Sequence, residues 1–217
     1  MTDIHKLIRH AAHAFALLAI LGCGLSPRAA LAAARQQPDA DGCDEHCRQQ
    51  LAEVRAATAE YQQEERAVSD GFAPTRHCRE TPGVGGMGYH YLNLARASNL
   101  AVEHLRPELL LYEPLKGGRV RLAGVEYFVP LLVRGPRGPQ LYFGSEPPPP
   151  PDMIVNPAPE LFGRKFDGPM AGHGPGEPWH YDLHVWLWRH NPAGMFAPDN
   201  PRITCAEASA HSGGGLH

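Results

Sequence analysis

Between residues 44 and 69, apolar positions return every three or four residues at Leu51, Val54, Thr58, Tyr61 and Val68, in a stretch rich in Ala, Glu, Gln and Arg. That spacing predicts an amphipathic helix with one stripe for a core. Asp41 and Asp44 stand where an N-cap belongs, and Gly71 follows Ser69-Asp70 where a left-handed residue ends a helix. Beyond it the rhythm shortens. Gly88–Leu92, Leu109–Tyr112, Arg119–Val133, Gln140–Phe143 and Trp179–Trp188 are β-prone runs separated by Gly and Pro clusters. The expected fold class is α+β: a single domain over residues 44–205, its N-terminal helix packed on a mostly antiparallel, disulfide-stapled sheet.

Both ends break this pattern. Lys6 and Arg9 precede an uncharged apolar run from Ala14 to Leu25, and Ala30-Leu31-Ala32 offers small residues where an export peptidase reads. The run is about a dozen residues, short of the roughly 20 that span a bilayer. Residues 1–32 therefore read as a signal peptide and the mature chain as exported, periplasmic or extracellular, without a transmembrane segment. Ile20-Leu21-Gly22-Cys23 resembles the box before a lipid-modified cysteine, but Leu21 is bulkier than that box usually has, so cleavage after Ala32 is preferred to lipid anchoring at Cys23. Residues 33–43 are expected to be a flexible segment and 206–217 a disordered tail. Pro147–Pro151, in the proline-rich spacer 145–159, must run extended and cannot join a central strand.

Composition narrows the function. The chain is 43% hydrophobic and 20% charged, as a globular protein is. Removing Lys6, Arg9 and Arg28 with Asp3 takes the formal charge from -3 to -5, which leaves no electrostatic footprint for nucleic acid. The mature chain keeps Cys43, Cys47, Cys78 and Cys205, an even set for an oxidising compartment. Cys43 and Cys47 can bridge one helical turn, which leaves Cys78 for Cys205; neither Cys-x-x-Cys nor an activated lone thiol is present.

Several blocks resemble an uncharacterised family of exported bacterial proteins with no assigned activity: Gly71-Phe72 through Cys78, Gly85-Gly86-Met87-Gly88-Tyr89-His90-Tyr91, Glu108–Pro114, Gly124-Val125-Glu126-Tyr127-Phe128-Val129-Pro130 and His180–Cys205. The resemblance spans about residues 45–205 and implies no reaction.

Histidine carries the candidate chemistry. On a strand, His180, Asp182 and His184 point to one face and Tyr181, Leu183 and Val185 to the other. At about 3.4 Å per residue His180 and His184 lie some 13–14 Å apart along a regular strand, too far to share one ion. A metal site would pair Asp182 with one of them and recruit His90 and Glu126, the ionisable residues of otherwise apolar blocks, for zinc or copper by imidazole preference. The alternative is a structural or partner-binding envelope protein in which the same residues form a metal-free polar ladder. A third reading is an enzyme with His180 or His184 as general base and Asp182 orienting it, and a fourth is a polar pocket for a small organic ligand. His173, in a Gly/Pro-rich loop, is expected to be solvent-exposed, and Tyr89, Tyr91, Trp179, Trp186 and Trp188 to belong to the core. No zinc-peptidase, nucleophile-elbow, nucleotide or haem-attachment motif is present.

Overall fold

Residues 41–144, 148–174 and 176–208 are described by a computed structural model of the chain. The expected leader, Cys23, most of the flexible segment, Pro147 and the tail from residue 209 lie outside the described residues.

The expected helix exists but is broken. Asp44 caps α1 (Glu45–Ala57), its carboxylate accepting from the Cys47 amide at 2.8 Å. Buried Thr58 turns its hydroxyl back onto the Val54 carbonyl, a 3-10 turn follows over Ala59–Gln62, and Gln63 is extended before α2 (Glu64–Ser69). The break serves the core: Tyr61 is buried, and its carbonyl accepts the Tyr112 hydroxyl at 2.6 Å. It also changes the phase of the apolar stripe, so Ala67 is buried and Val68, expected inside, is exposed.

The chain then forms a six-stranded antiparallel sheet in the order β1 (Phe72–Thr81), β2 (Gly85–Asn93), β3 (Leu109–Pro114), β4 (Val120–Pro130), β10 (His180–Val185), β9 (Asp167–Met170). Two small hairpins complete it, β5 (Leu132–Gly135) with β6 (Gly138–Leu141), and β7 (Glu160–Leu161) with β8 (Arg164–Lys165). The periodicity had not suggested β1. It is an edge strand whose pairing is irregular between Pro74 and Cys78, which is where a sheet tolerates proline. Gly83 and Gly85, both with positive φ, serve the β1–β2 hairpin turn.

Register sorts the side chains into two faces. Tyr91, Leu110, Val125 and Val185 form one cross-strand row, buried with Leu51, Val54, Tyr61 and Ala67 of the helical segment. Leu92, Leu109, Glu126 and His184 form the neighbouring row, on the opposite face. Val133 and Phe162, before and after the proline run, belong to the same apolar cluster, and the run ends in a 3-10 turn at Pro151–Met153.

Cys43 is bridged to Cys47 and Cys78 to Cys205. The second bridge closes a separation of 127 residues. In the chain-entropy picture a loop of that length contributes about 5 kcal/mol, against about 2 for the one-turn bridge. It ties the C-terminal segment to β1, where the Cys205 amide also donates to Glu80 at 2.7 Å, and Asn200 bridges Gly86 of β2. Order continues past the expected boundary at Cys205, since the Ala208 carbonyl accepts from the Tyr89 hydroxyl. No helix among the described residues is long and apolar enough to cross a membrane.

Candidate metal centre

The polar row and its neighbours bring together every ionisable residue singled out in the strands. His184 stands opposite Glu126 in the β10–β4 register, and Asp182 opposite Phe128. His90 lies two strands from Glu126, a backbone separation of about 10 Å. Its ring nevertheless reaches across, placing Nε2 3.2 Å from Glu126 Oε2. Two glycines permit this packing. A Cβ on Gly88, whose φ is +80°, would fall 2.3 Å from the Tyr112 carbonyl oxygen, and one on Gly124 would fall 2.6 Å from that of Val185.

His90, Glu126, His180, Asp182 and His184 are all buried. Glu126 Oε2 is also 3.7 Å from His184 Nε2, and Asp182 sits between two imidazoles, 3.8 Å from His184 Nδ1 and 3.7 Å from His180 Nε2. The ligand atoms gather into two groups, each within 4.8 Å: His90, Glu126 and His184, and His173, His180 and Asp182. His180 and His184 thus fall in different groups, as their separation along the strand demands.

His173 corrects an expectation. It is half-buried, its ring 5.1 Å from that of His180 and 6.5 Å from that of His90. The loop from β9 returns over the sheet before β10 begins, and Gly172 lies where a Cβ would meet the Glu177 backbone. The flanking glycines of Gly172-His173-Gly174 were the available signal, since they let a loop fold tightly against its neighbours.

The unpartnered atoms are the decisive feature. His90 Nε2, Glu126 Oε2, His180 Nε2, Asp182 Oδ1 and both ring nitrogens of His184 are buried and lack a hydrogen bond of acceptable geometry. Natural interiors pair nearly all such atoms, at about 1–3 kcal/mol for each left unpaired. Burial pushes the Glu126 carboxyl up, but His184 and His90 beside it outweigh burial and hold it below the usual carboxylate range. Burial pushes His180 down, and the neighbouring carboxylates of Asp182 and Glu126 together outweigh it and raise the imidazole; for His173 burial prevails and the imidazole is lowered. Two buried carboxylates thus call for positive charge among imidazoles that can also act as neutral ligands.

A cation meets both demands. Ligand atoms about 2.1 Å from a tetrahedral ion lie about 3.4 Å from one another, close to the 3.2 and 3.7 Å separations around Glu126. Two imidazoles and one carboxylate leave coordination positions open, as in catalytic zinc and non-haem iron sites. Leu111, Trp186 and Ile203 form a separate buried cluster, with Trp186 stacked on the His184 ring, while His90, Glu126, His173 and His180 line a cavity of about 690 Å³. No profile of a known protein family, no curated protein and no solved structure matches the chain.

Proposed function

We propose that this is an exported protein that binds a divalent transition metal, zinc or copper by its imidazole content, through His90, Glu126 and His184, with His173, His180 and Asp182 as an adjoining set. The observation that carries the reading is the convergence of buried ligand atoms of three strands without hydrogen-bond partners. A metal-free ladder would be expected to hold the sheet through well-aligned hydrogen bonds, whereas these contacts of 3.2–3.8 Å lack that geometry. Two disulfides and the tripartite N-terminal pattern support export.

Metal analysis of the mature protein, its intact mass first checked for loss of residues 1–32, tests the reading. At least one equivalent of zinc or copper is expected, with His184→Ala and His90→Ala each lowering affinity at least a hundredfold while both disulfides and the circular dichroism persist. Protein that neither carries metal nor takes it up after chelation and dialysis against each ion would overturn it.

A further inference from the structure

The cavity beside the ligands has a character of its own. Its volume, about 690 Å³, is that of a small-molecule site, and its walls include Leu92, Leu109, Phe128 and Leu132. Four large apolar residues that also line it, Leu94, Leu100, Leu141 and Phe143, are between 43% and 68% exposed. Exposed apolar side chains scattered singly mean little; gathered around one concavity they mark a binding surface. Leu100 holds φ +59°, a conformation costing a non-glycine residue about 1–2 kcal/mol and found at sites where placement matters.

The cavity also holds one unspent cation. Cys78 packs toward the apolar cluster, so the next residue on β1, Arg79, turns to the opposite face and lines the cavity with His90 and His173. Arg79 is half-buried, and its guanidinium has no ion-pair or hydrogen-bond partner among the described residues. A divalent ion bound by Glu126 retains one positive charge, and Arg79 adds a second on the same wall. The acid in the lining other than Glu126 is Glu177, which is exposed.

We propose that this cavity binds an apolar monocarboxylate, its head held between the metal and Arg79 and its hydrocarbon body lying along Phe128 and Leu132 toward Leu141 and Phe143. The inference rests on the metal reading for half of its headgroup site. The guanidinium fork matches a carboxylate, an open metal position takes an anionic oxygen, and the apolar walls take the chain.

Titration of the zinc-loaded protein with butyrate, octanoate and dodecanoate tests it, with bound metal measured in the same samples. Each added methylene should tighten binding by up to about fourfold. Arg79→Gln should weaken octanoate at least tenfold without changing metal content, and Arg79→Lys should restore part of the loss. Leu141→Asp, at an exposed position that does not threaten folding, should weaken dodecanoate and spare butyrate. Chelation should weaken all three ligands. Metal-loaded protein that binds none of them, or binds them without regard to chain length, would overturn the inference and leave the metal reading standing. Octanoate binding indifferent to chelation would overturn the headgroup assignment, and absence of metal uptake would overturn both.

Discussion

The two faces of one sheet treat their polar atoms in opposite ways. On the face beneath the helices, the hydroxyls of Tyr89, Tyr91, Tyr112, Tyr127 and Tyr181 each donate to a partner, four to backbone carbonyls and Tyr91 to Glu64. On the other face, one residue further along the same strands, six buried imidazole and carboxylate atoms meet one another at 3.2–3.8 Å without a hydrogen bond of acceptable geometry. Backbone, register and strand neighbours are shared, so the difference belongs to the side chains. The tyrosine face satisfies its polar atoms within the fold; the histidine face gathers groups that could hold a metal ion.

The largest test of that contrast is a pair of substitutions in adjacent rows. Leu110 is fully buried among the apolar strands, so Leu110→Ala should cost about 2–5 kcal/mol in denaturant unfolding and leave metal stoichiometry unchanged. Glu126→Gln tests the other row. It replaces a buried carboxylate by a neutral isostere, so metal affinity should fall at least a hundredfold. The metal-free protein should lose some stability near neutral pH, because the imidazoles that hold the Glu126 carboxyl low stabilise its ionised form, and that loss should fade as pH falls and wild-type Glu126 takes up its proton. Metal affinity unchanged in Glu126→Gln would make the histidine face a structural element and erase the contrast.

Much of this contrast was legible from parity alone. Alternation over His180–Val185 separates ligands from core residues, and His90 and Glu126 stand out because each interrupts an apolar run. Pairing Cys43 with Cys47 leaves one partner for Cys78. What could not be read depends on contacts distant in sequence. The helix breaks where Tyr112, 51 residues downstream of Tyr61, donates to the Tyr61 carbonyl. The edge position of β1 makes Pro74 acceptable, and edges are not visible to periodicity. His173 joins the cluster through the path of its loop, and the cavity exists only once β1, β4 and the segments after β2 and β6 surround it.

Glu108 sharpens the comparison, because this buried acid, just before β3, belongs to neither ligand group. Burial raises its carboxyl to about 7, although the Phe128 amide donates to it. A carboxyl that binds its proton more tightly when folded contributes stability in full below the unfolded value near 4.5, and that contribution fades as pH rises through about 7. The difference in unfolding free energy between wild type and Glu108→Gln should therefore drift by up to about 3 kcal/mol across this window, wild type losing ground as pH rises. Parallel pH profiles for the two proteins would show that Glu108 is ionised in the fold.

The smallest effect examines the tyrosine face by its own rule. Tyr112 is fully buried, and its hydroxyl bonds the Tyr61 carbonyl at the break between α1 and α2. Tyr112→Phe keeps the ring and its packing against Tyr91, whose centroid is 4.4 Å away, and removes only the donor. The expected cost is about 1 kcal/mol, the net worth of one hydrogen bond, with metal content unchanged. Because the freed carbonyl sits in the 3-10 turn, amide exchange should quicken around Ala59–Gln63 and not in β10. Cost and location together decide the matter: a change spread to the histidine strand would show that the two faces are coupled through β3, and a change of zero would mean that water satisfies the Tyr61 carbonyl as well as the tyrosine does.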